Sequence, residues 1–563
     1  MKNNPSYAVN PYRVFTVFIS FVFLACLMTG CGGGSSGESS PPAVRDLNFT
    51  TTNKNTLERH EAGSYYGDVY SGTYEAPDGV SIDVWVSIRN TDARTGVGTI
   101  NRMGVVIQGG TGLEVVHLLG GDRGLHTLWV AINYRGSSLT NITPQWECAP
   151  GPEFISCLKE HDTFSKINPK LNAQDANSVI SLLADDNAEI TVDGAVMKVS
   201  EFVPSGTVRS PVNLLTDSFG GVVVSYMLAE ENRPELHNVF FEQVTSPGEH
   251  PISDGLNNAA RMMNVLFSAC EDDTSCDNTY PDIRTNFRDF MDAYHSTAID
   301  IDGEQIYAGG VFDRIVHIIE EENSVGKAIR YVGEIANAYN DGSTTITTGY
   351  GPRGYFSQLG EQSREEYGFP QLDSGDWTAL LRSRRFPDRF FPGITNRTGM
   401  ICSFGINRAT SPDSLSRYNA VKVEELPGDS GGTKETFGYG FLVGYKTFLS
   451  VCPKLIEQTG RLELPDVSGI GAENVIVFRG ELDVKHYFEQ DSTQDEIMAY
   501  FTASSGHRRV ITQKFLAQNS GQDRKCMLTI RQNFWSAADT TDESLGDDCE
   551  ESNSLPASGL SGW

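Results

Sequence analysis

Basic residues are scarce in this 563-residue chain: 44 Lys and Arg stand against 73 Asp and Glu, a formal charge of −29. Nucleic acids are held by basic stripes that release counterions, and no compact basic patch offsets the acidity, which argues against nucleic-acid binding. A zinc site is not expected among the cysteines, nor is any cofactor. The amino-terminal apolar run, Phe15 to Met28, falls short of the ~20 residues that a spanning helix needs. No repeat of fixed period is visible. What is present suits folding: 39% hydrophobic and 10% aromatic residues supply a large core, enough for one or two domains.

Lys2 and Arg13 precede the run Phe15 to Met28, which reads as the apolar region of an export signal. Leu27-Met28-Thr29-Gly30-Cys31 resembles a bacterial lipobox, in which Cys31 is lipidated after cleavage and becomes a membrane anchor. An ordinary cleavage site beside a chance cysteine is the plainer alternative. The Gly- and Ser-rich stretch from Gly32 to Pro42 is a flexible tether, and Gly32 after the cysteine resembles the outer-membrane sorting class. With Cys26 in the signal and Cys31 at the anchor, the remaining cysteines are even in number, as disulfides in an oxidising compartment require.

Tyr65 to Arg89 reads as short strands around the turn Ala76-Pro77-Asp78-Gly79. Strand and helix then alternate. Strands are expected at Gly104 to Gln108, Thr127 to Asn133, Pro211 to Leu215 and Asn238 to Val244, with helices at Leu171 to Ala184 and through Leu228. Alternation of this kind implies a parallel sheet covered by helices. The pattern stops near Pro247 and resumes at Val475, and the intervening stretch is too long for a loop and carries helical segments at Leu256 to Ser268 and Phe312 to Asn323. The expected organisation is a signal peptide over 1–30, a tether over 31–48, a core over 49–250 and 466–563, and an inserted lid over 251–465.

Thr216-Asp217-Ser218-Phe219-Gly220 is a strand-to-helix turn with Ser218 at its apex, followed by Gly221. A nucleophilic serine needs such a turn, exposed to substrate and with a helix amino end aimed at developing negative charge. Phe478-Arg479-Gly480-Glu481-Leu482-Asp483 is an apolar strand ending at an acid, and Ser505-Gly506-His507 follows, giving the order Ser, Asp, His. In that reading Ser218 attacks a carbonyl, His507 takes and returns the proton, and Asp483 orients the imidazole, with Glu481 as a rival acid. The oxyanion needs two N–H donors, one from Phe219 and one from Gly110 in Gly109-Gly110-Thr111-Gly112. That glycine turn lacks the Lys-Ser/Thr of a phosphate-binding loop. Pro427-Gly428-Asp429-Ser430-Gly431-Gly432 spells the nucleophile motif of chymotrypsin-like proteases, but no histidine upstream has their setting, so it reads as a loop near the lid.

These motifs resemble the α/β-hydrolase serine peptidases of the prolyl aminopeptidase and tripeptidyl aminopeptidase type, over roughly Gly104 to Cys549. Gly109 to Gly112 is similar to their Gly-Gly-Pro-Gly loop, Tyr134-Arg135-Gly136 to their Asp-x-Arg-Gly turn, and Asp217 to Gly221 to their Gly-x-Ser-x-Gly-Gly. Thr111, Gln108 and Thr216 depart from the usual Pro, His and Gly. The resemblance, with proximity in the chain, implies disulfides Cys148–Cys157, Cys270–Cys276, Cys402–Cys452 and Cys526–Cys549. It implies an α/β-hydrolase fold with a large, mainly helical inserted lid. Glu242 is similar in position to an acid that binds a substrate ammonium; a plain carboxylate at the core edge is the alternative.

The expectation is an exported, lipid-anchored serine hydrolase acting on peptide chain ends through an acyl-enzyme. An esterase or lipase of the same fold and a non-catalytic binding module are the alternatives.

Overall fold

The computed structural model describes residues 47–51, 68–88, 102–109, 115, 127–137, 154–160, 163–245, 247, 251–294, 297–306, 308–320, 325–350, 400, 462–480, 482, 493–504 and 508–513. The strands are β1 (Asn48–Thr51), β2 (Asp68–Glu75), β3 (Ser81–Ile88), β4 (Arg102–Ile107), β5 (Thr127–Ile132), β6 (Glu189–Val192), β7 (Ala195–Lys198), β8 (Val208–Ser218) and β9 (Leu236–Val244). Further along come β10 (Ile299–Ile301), β11 (Glu304–Ile306), β12 (Thr345–Ile346), β13 (Asn474–Gly480) and β14 (Arg508–Gln513).

Eleven of these strands form one sheet in the order β14-β13-β9-β8-β4-β5-β3-β2-β1-β6-β7. From β14 to β5 every pairing is parallel, and β3 is antiparallel to both β5 and β2. The central strands read as unbroken apolar runs because helices bury both faces; Met103 to Ile107 and Leu128 to Ile132 are buried throughout. The chain has an α/β fold. Its strands lie where the alternating pattern puts them, with ends displaced by at most three residues.

Local chemistry explains the boundaries. The helix Pro169–Ala184 starts at Asn168, whose side chain accepts from the Leu171 N–H, and Pro169 fits the first turn where no donor is needed. The two-residue turn Asp193-Gly194 joins β6 and β7 with φ of 50° and 80°, the left-handed pair that closes a tight hairpin. That hairpin and β1 extend the sheet beyond the expected edge, and Leu47 is already buried. Asp193 accepts from both the amide and the hydroxyl of Thr51, clipping the hairpin to β1.

Residues 251–346 build a second hydrophobic core. The helices Pro251–Glu271, Thr274–Thr279, Ile283–Ala293, Ala308–Glu320 and Val325–Asn340 surround Phe267, Phe287, Phe290, Phe312 and Tyr331, beside the three-stranded sheet β11-β10-β12. The Cys270–Cys276 disulfide is present, bridging the first two of these helices. Cys157 is also disulfide-bonded; Cys148, Cys402, Cys452, Cys526 and Cys549 lie outside the described residues, as do Cys31, Ser430 and most of 351–461. Leu158 and Leu482 join the helical core, so the chain leaving β13 is packed against this body.

Candidate active site

In open α/β sheets, ligands bind beyond the carboxyl ends of the strands, where successive connections diverge to opposite sides. Here that point lies between β4 and β8, since β4 leads to β5 on one flank while β8 leads to β9 on the other. The end of β8 is Ser218 and the chain leaving β4 begins with Gln108 and Gly109.

Ser218 has φ of 45°, in the left-handed region that residues with a Cβ avoid. The helix Gly220–Ala229 starts two residues later, with Phe219 at its cap. The turn is tight enough to demand glycine. A Cβ on Gly220 would lie 2.3 Å from Thr216 Oγ1 and 2.7 Å from the Ile107 carbonyl; one on Gly221 would lie 2.6 Å from the Thr245 carbonyl. Thr216, fully buried, fills the space that Gly220 leaves open. On the neighbouring strand Gln243 also has positive φ, 48°, and the register shifts so that Ser218 pairs with Val244. The Thr245 N–H donates to the Ser218 carbonyl at 2.8 Å, which holds the strained residue from the far side.

The chain leaving β4 is held against this apex. Gly109 donates its N–H to Asp217 Oδ1 at 2.7 Å, and a Cβ on Gly109 would meet the Ser218 Cβ at 2.3 Å. The Tyr134 hydroxyl donates to the Gln108 carbonyl, and the Val115 N–H donates to Asn133 Oδ1 at 2.7 Å. Burial, and after it the negative charge of Asp217, push the Tyr134 phenol well above its ordinary 10.0, so it stays a donor. Arg135 anchors the same turn: its guanidinium grips Asp175 through two nitrogens, at 2.6 and 2.9 Å, and reaches Asp78 at 2.6 Å.

Glu242 is buried on β9, in register with Asp217 on one side and Phe478 on the other. It therefore sits at the carboxyl end of the sheet, one strand from Ser218. Gly110 and Asp483 lie outside the described residues; Asp483 follows Leu482, whose side chain is buried in the helical core.

The register locates the described neighbours of His507. His507 itself lies outside the described residues, but Arg508, the next residue, pairs with Val475 at the amino end of β13. Upstream, the Ser504 hydroxyl accepts from the Ala472 N–H, before β13 begins. Both neighbours thus lie at the edge opposite Ser218. Through Val475 and Val239, Arg508 is level with Leu214, four residues short of Ser218 and three strands across. At ~3.3 Å per residue and ~4.8 Å per strand, the two Cα atoms are about 19 Å apart. A serine–histidine hydrogen bond spans only ~2.6–3.2 Å, and one further peptide step adds ~3.8 Å of reach. In the chain, Ser505-Gly506-His507 precedes β14. His117, His161, His250 and His486 follow β4, β5, β9 and β13 in the chain and lie outside the described residues.

Sequence reasoning also passed over Asp217, Asn133 and Tyr134 as loop anchors. The signal available for Asp217 was its place, directly before the serine.

No family model matches the chain, and no curated protein matches it in sequence. Solved structures to which it is similar include a hypothetical protein from Pseudomonas aeruginosa, at 8% identity and a TM-score of 0.28 over 84% of this chain and 94% of that one. An epoxide hydrolase from Vigna radiata is similar at 11% identity and a TM-score of 0.27, over 82% of this chain and 96% of its own.

Proposed function

We propose that the protein is a serine hydrolase of the α/β-hydrolase type that cleaves acyl compounds, with peptide chain ends the favoured substrates, through an acyl-enzyme on Ser218. The observation that carries this reading is the strained backbone of Ser218, φ 45°, built where three glycines make room for it. Strain of this kind costs of order 1–3 kcal/mol and persists where function needs the geometry.

In the proposed reaction the Ser218 hydroxyl oxygen attacks the carbonyl carbon while its proton passes to a histidine. The C–N or C–O bond to the leaving group then breaks, and the leaving group takes that proton. Water releases the acyl group by the same steps in reverse. The Phe219 N–H, at the helix start, and the Gly110 N–H stabilise the oxyanion, and Asp483 is the acid of the site. The histidine is proposed to be one of His117, His161, His250 and His486, which follow β4, β5, β9 and β13 in the chain; the distance of Arg508 from Ser218 weighs against His507. Glu242, buried beside Asp217, is proposed to receive the ammonium of a peptide substrate. Export and lipid anchoring at Cys31, with residues 251–465 as a lid, complete the proposal; the lipobox-like sequence and the separate helical core built by 251–346 support them.

The position of Arg508 favours a second reading, a binding module on a hydrolase scaffold, in which the nucleophile turn survives without a base. Fluorophosphonate labelling separates the two. Labelling that is lost in Ser218→Ala, kept in Ser430→Ala and His507→Ala, and lost in one of the His117, His161, His250 or His486 alanine variants supports the enzyme. No labelling of the unaltered protein supports the binding module. A panel of aminoacyl, tripeptidyl and p-nitrophenyl ester substrates then divides peptidase from esterase.

A further inference from the structure

We infer that Asp217 is a positioning residue that aligns the oxyanion-stabilising loop on the nucleophile, an inference that rests on Ser218 being that nucleophile. Asp217 precedes Ser218 in the chain, and Gly109 precedes Gly110. The hydrogen bond from the Gly109 N–H to Asp217 Oδ1, 2.7 Å, therefore ties together the two segments that carry the oxyanion donors, one residue from each. Two further ties run elsewhere: the Gln108 carbonyl is held by Tyr134 and the Val115 N–H by Asn133, both at the end of β5. Those contacts fix the loop to the sheet. The Asp217 contact fixes it to the strand end on which Ser218 turns.

The packing leaves no slack in this tie. Gly109 lies so close that a Cβ there would fall 2.3 Å from the Asp217 carbonyl oxygen and from the Ser218 Cβ. Removing the acceptor leaves the Gly109 N–H without Asp217, and so loosens the tie next to the peptide whose N–H belongs to Gly110. An oxyanion hole works because its donors are already in place when charge develops, and removing one donor costs ~10²–10³ in rate. A misplacement of ~1 Å costs of order 10²-fold. Asp217 need not touch the substrate for its loss to slow the chemical step.

Fluorophosphonate labelling kinetics on the full chain test this, with the maximal labelling rate and the half-saturating probe concentration measured separately. Asp217→Asn keeps an oxygen at the Oδ1 position and is expected within about fivefold of the unaltered protein. Asp217→Ala is expected to lower the maximal rate by about 30- to 100-fold, in line with a displaced donor, with the half-saturating concentration within about threefold. Should the alanine variant fail to fold, Asp217→Leu keeps the bulk without the acceptor and reads the same contrast. An alanine or leucine variant that labels as fast as the unaltered protein overturns the inference and leaves Ser218 standing as nucleophile. Equal slowing of Asn and Ala variants also overturns it, because charge and not the acceptor would then matter. If the unaltered protein is not labelled at Ser218, the nucleophile reading fails and this inference with it.

Discussion

Replacing Ser218 by glycine should make the protein more stable than replacing it by alanine. At φ 45° the backbone of residue 218 lies in the left-handed region, where a Cβ costs roughly 1–2 kcal/mol. Alanine keeps that Cβ and its strain; glycine removes both. Glycine gives back about 0.5–1 kcal/mol because the unfolded chain gains freedom. Both variants lose the hydroxyl, so the difference between them isolates the backbone, and glycine should come out ahead by about 0.5–1 kcal/mol. With an unfolding entropy of ~2.1 cal/mol/K per residue, a cooperative unit the size of Arg45–Trp563 shows this as a Tm higher by about 0.5–1 °C. Replicate differential scanning calorimetry resolves such a shift, and fluorophosphonate labelling should be absent from both variants. If the alanine variant melts at or above the temperature of the glycine variant, Ser218 is not strained and the main support for its catalytic role disappears.

Gly109→Ala should destabilise by about 1–3 kcal/mol through overpacking, since the new methyl would meet the Asp217 carbonyl and the Ser218 Cβ at 2.3 Å; urea unfolding measures it. Asp175→Ala strips a buried guanidinium of its two-nitrogen partner and should cost about 3–5 kcal/mol, read from the same urea titration. Burial first and the Arg102 charge second hold His237 below its ordinary 6.5, against the pull of Glu473, whose carboxylate meets Nδ1 at 2.7 Å. The unfolded chain therefore takes up that proton first, so this contribution to stability is full above pH 6.5 and is lost as the pH falls below it. Urea midpoints at about pH 7.5 and 5, on either side of the reference histidine pKa, should fall less in His237→Gln than in the unaltered protein. Tyr134 has the opposite sign: its raised pKa makes its contribution full below pH 10.0 and lost above it. Tyr134→Phe should flatten the alkaline limb of a pH–stability curve.

How far the site could be read depends on which physical constraint each residue obeys. Gly220 and Gly221 were legible because only glycine fits a turn crowded by Thr216, Ile107 and Thr245, and crowding leaves a mark on residue type. The place of Ser218, at the apex of the turn those glycines mark, was legible through them. Asp217 was visible as a residue, but its partner is the backbone of Gly109, and a backbone N–H has no letter of its own. Gln243 shows the converse. It takes a positive φ that would favour glycine, and nothing in its type announces it. Arg508 marks a second limit: that a six-residue strand begins there, and pairs its first residue with the amino end of β13, depends on a partner strand that the local motif does not show.

By itself the sequence determined the local geometry and the class of fold. Strand and helix alternate in it, its glycines stand where no side chain fits, and a serine sits at a strand-to-helix turn, because periodicity and steric exclusion act between residues close in the chain. Only the tertiary structure decided which ends of the strands share an edge, since register depends on hydrogen bonds between segments hundreds of residues apart, Asn474 with Asn238 among them. That register gathers Ser218, Gly109 and Glu242 at one edge, and puts Arg508 at the other.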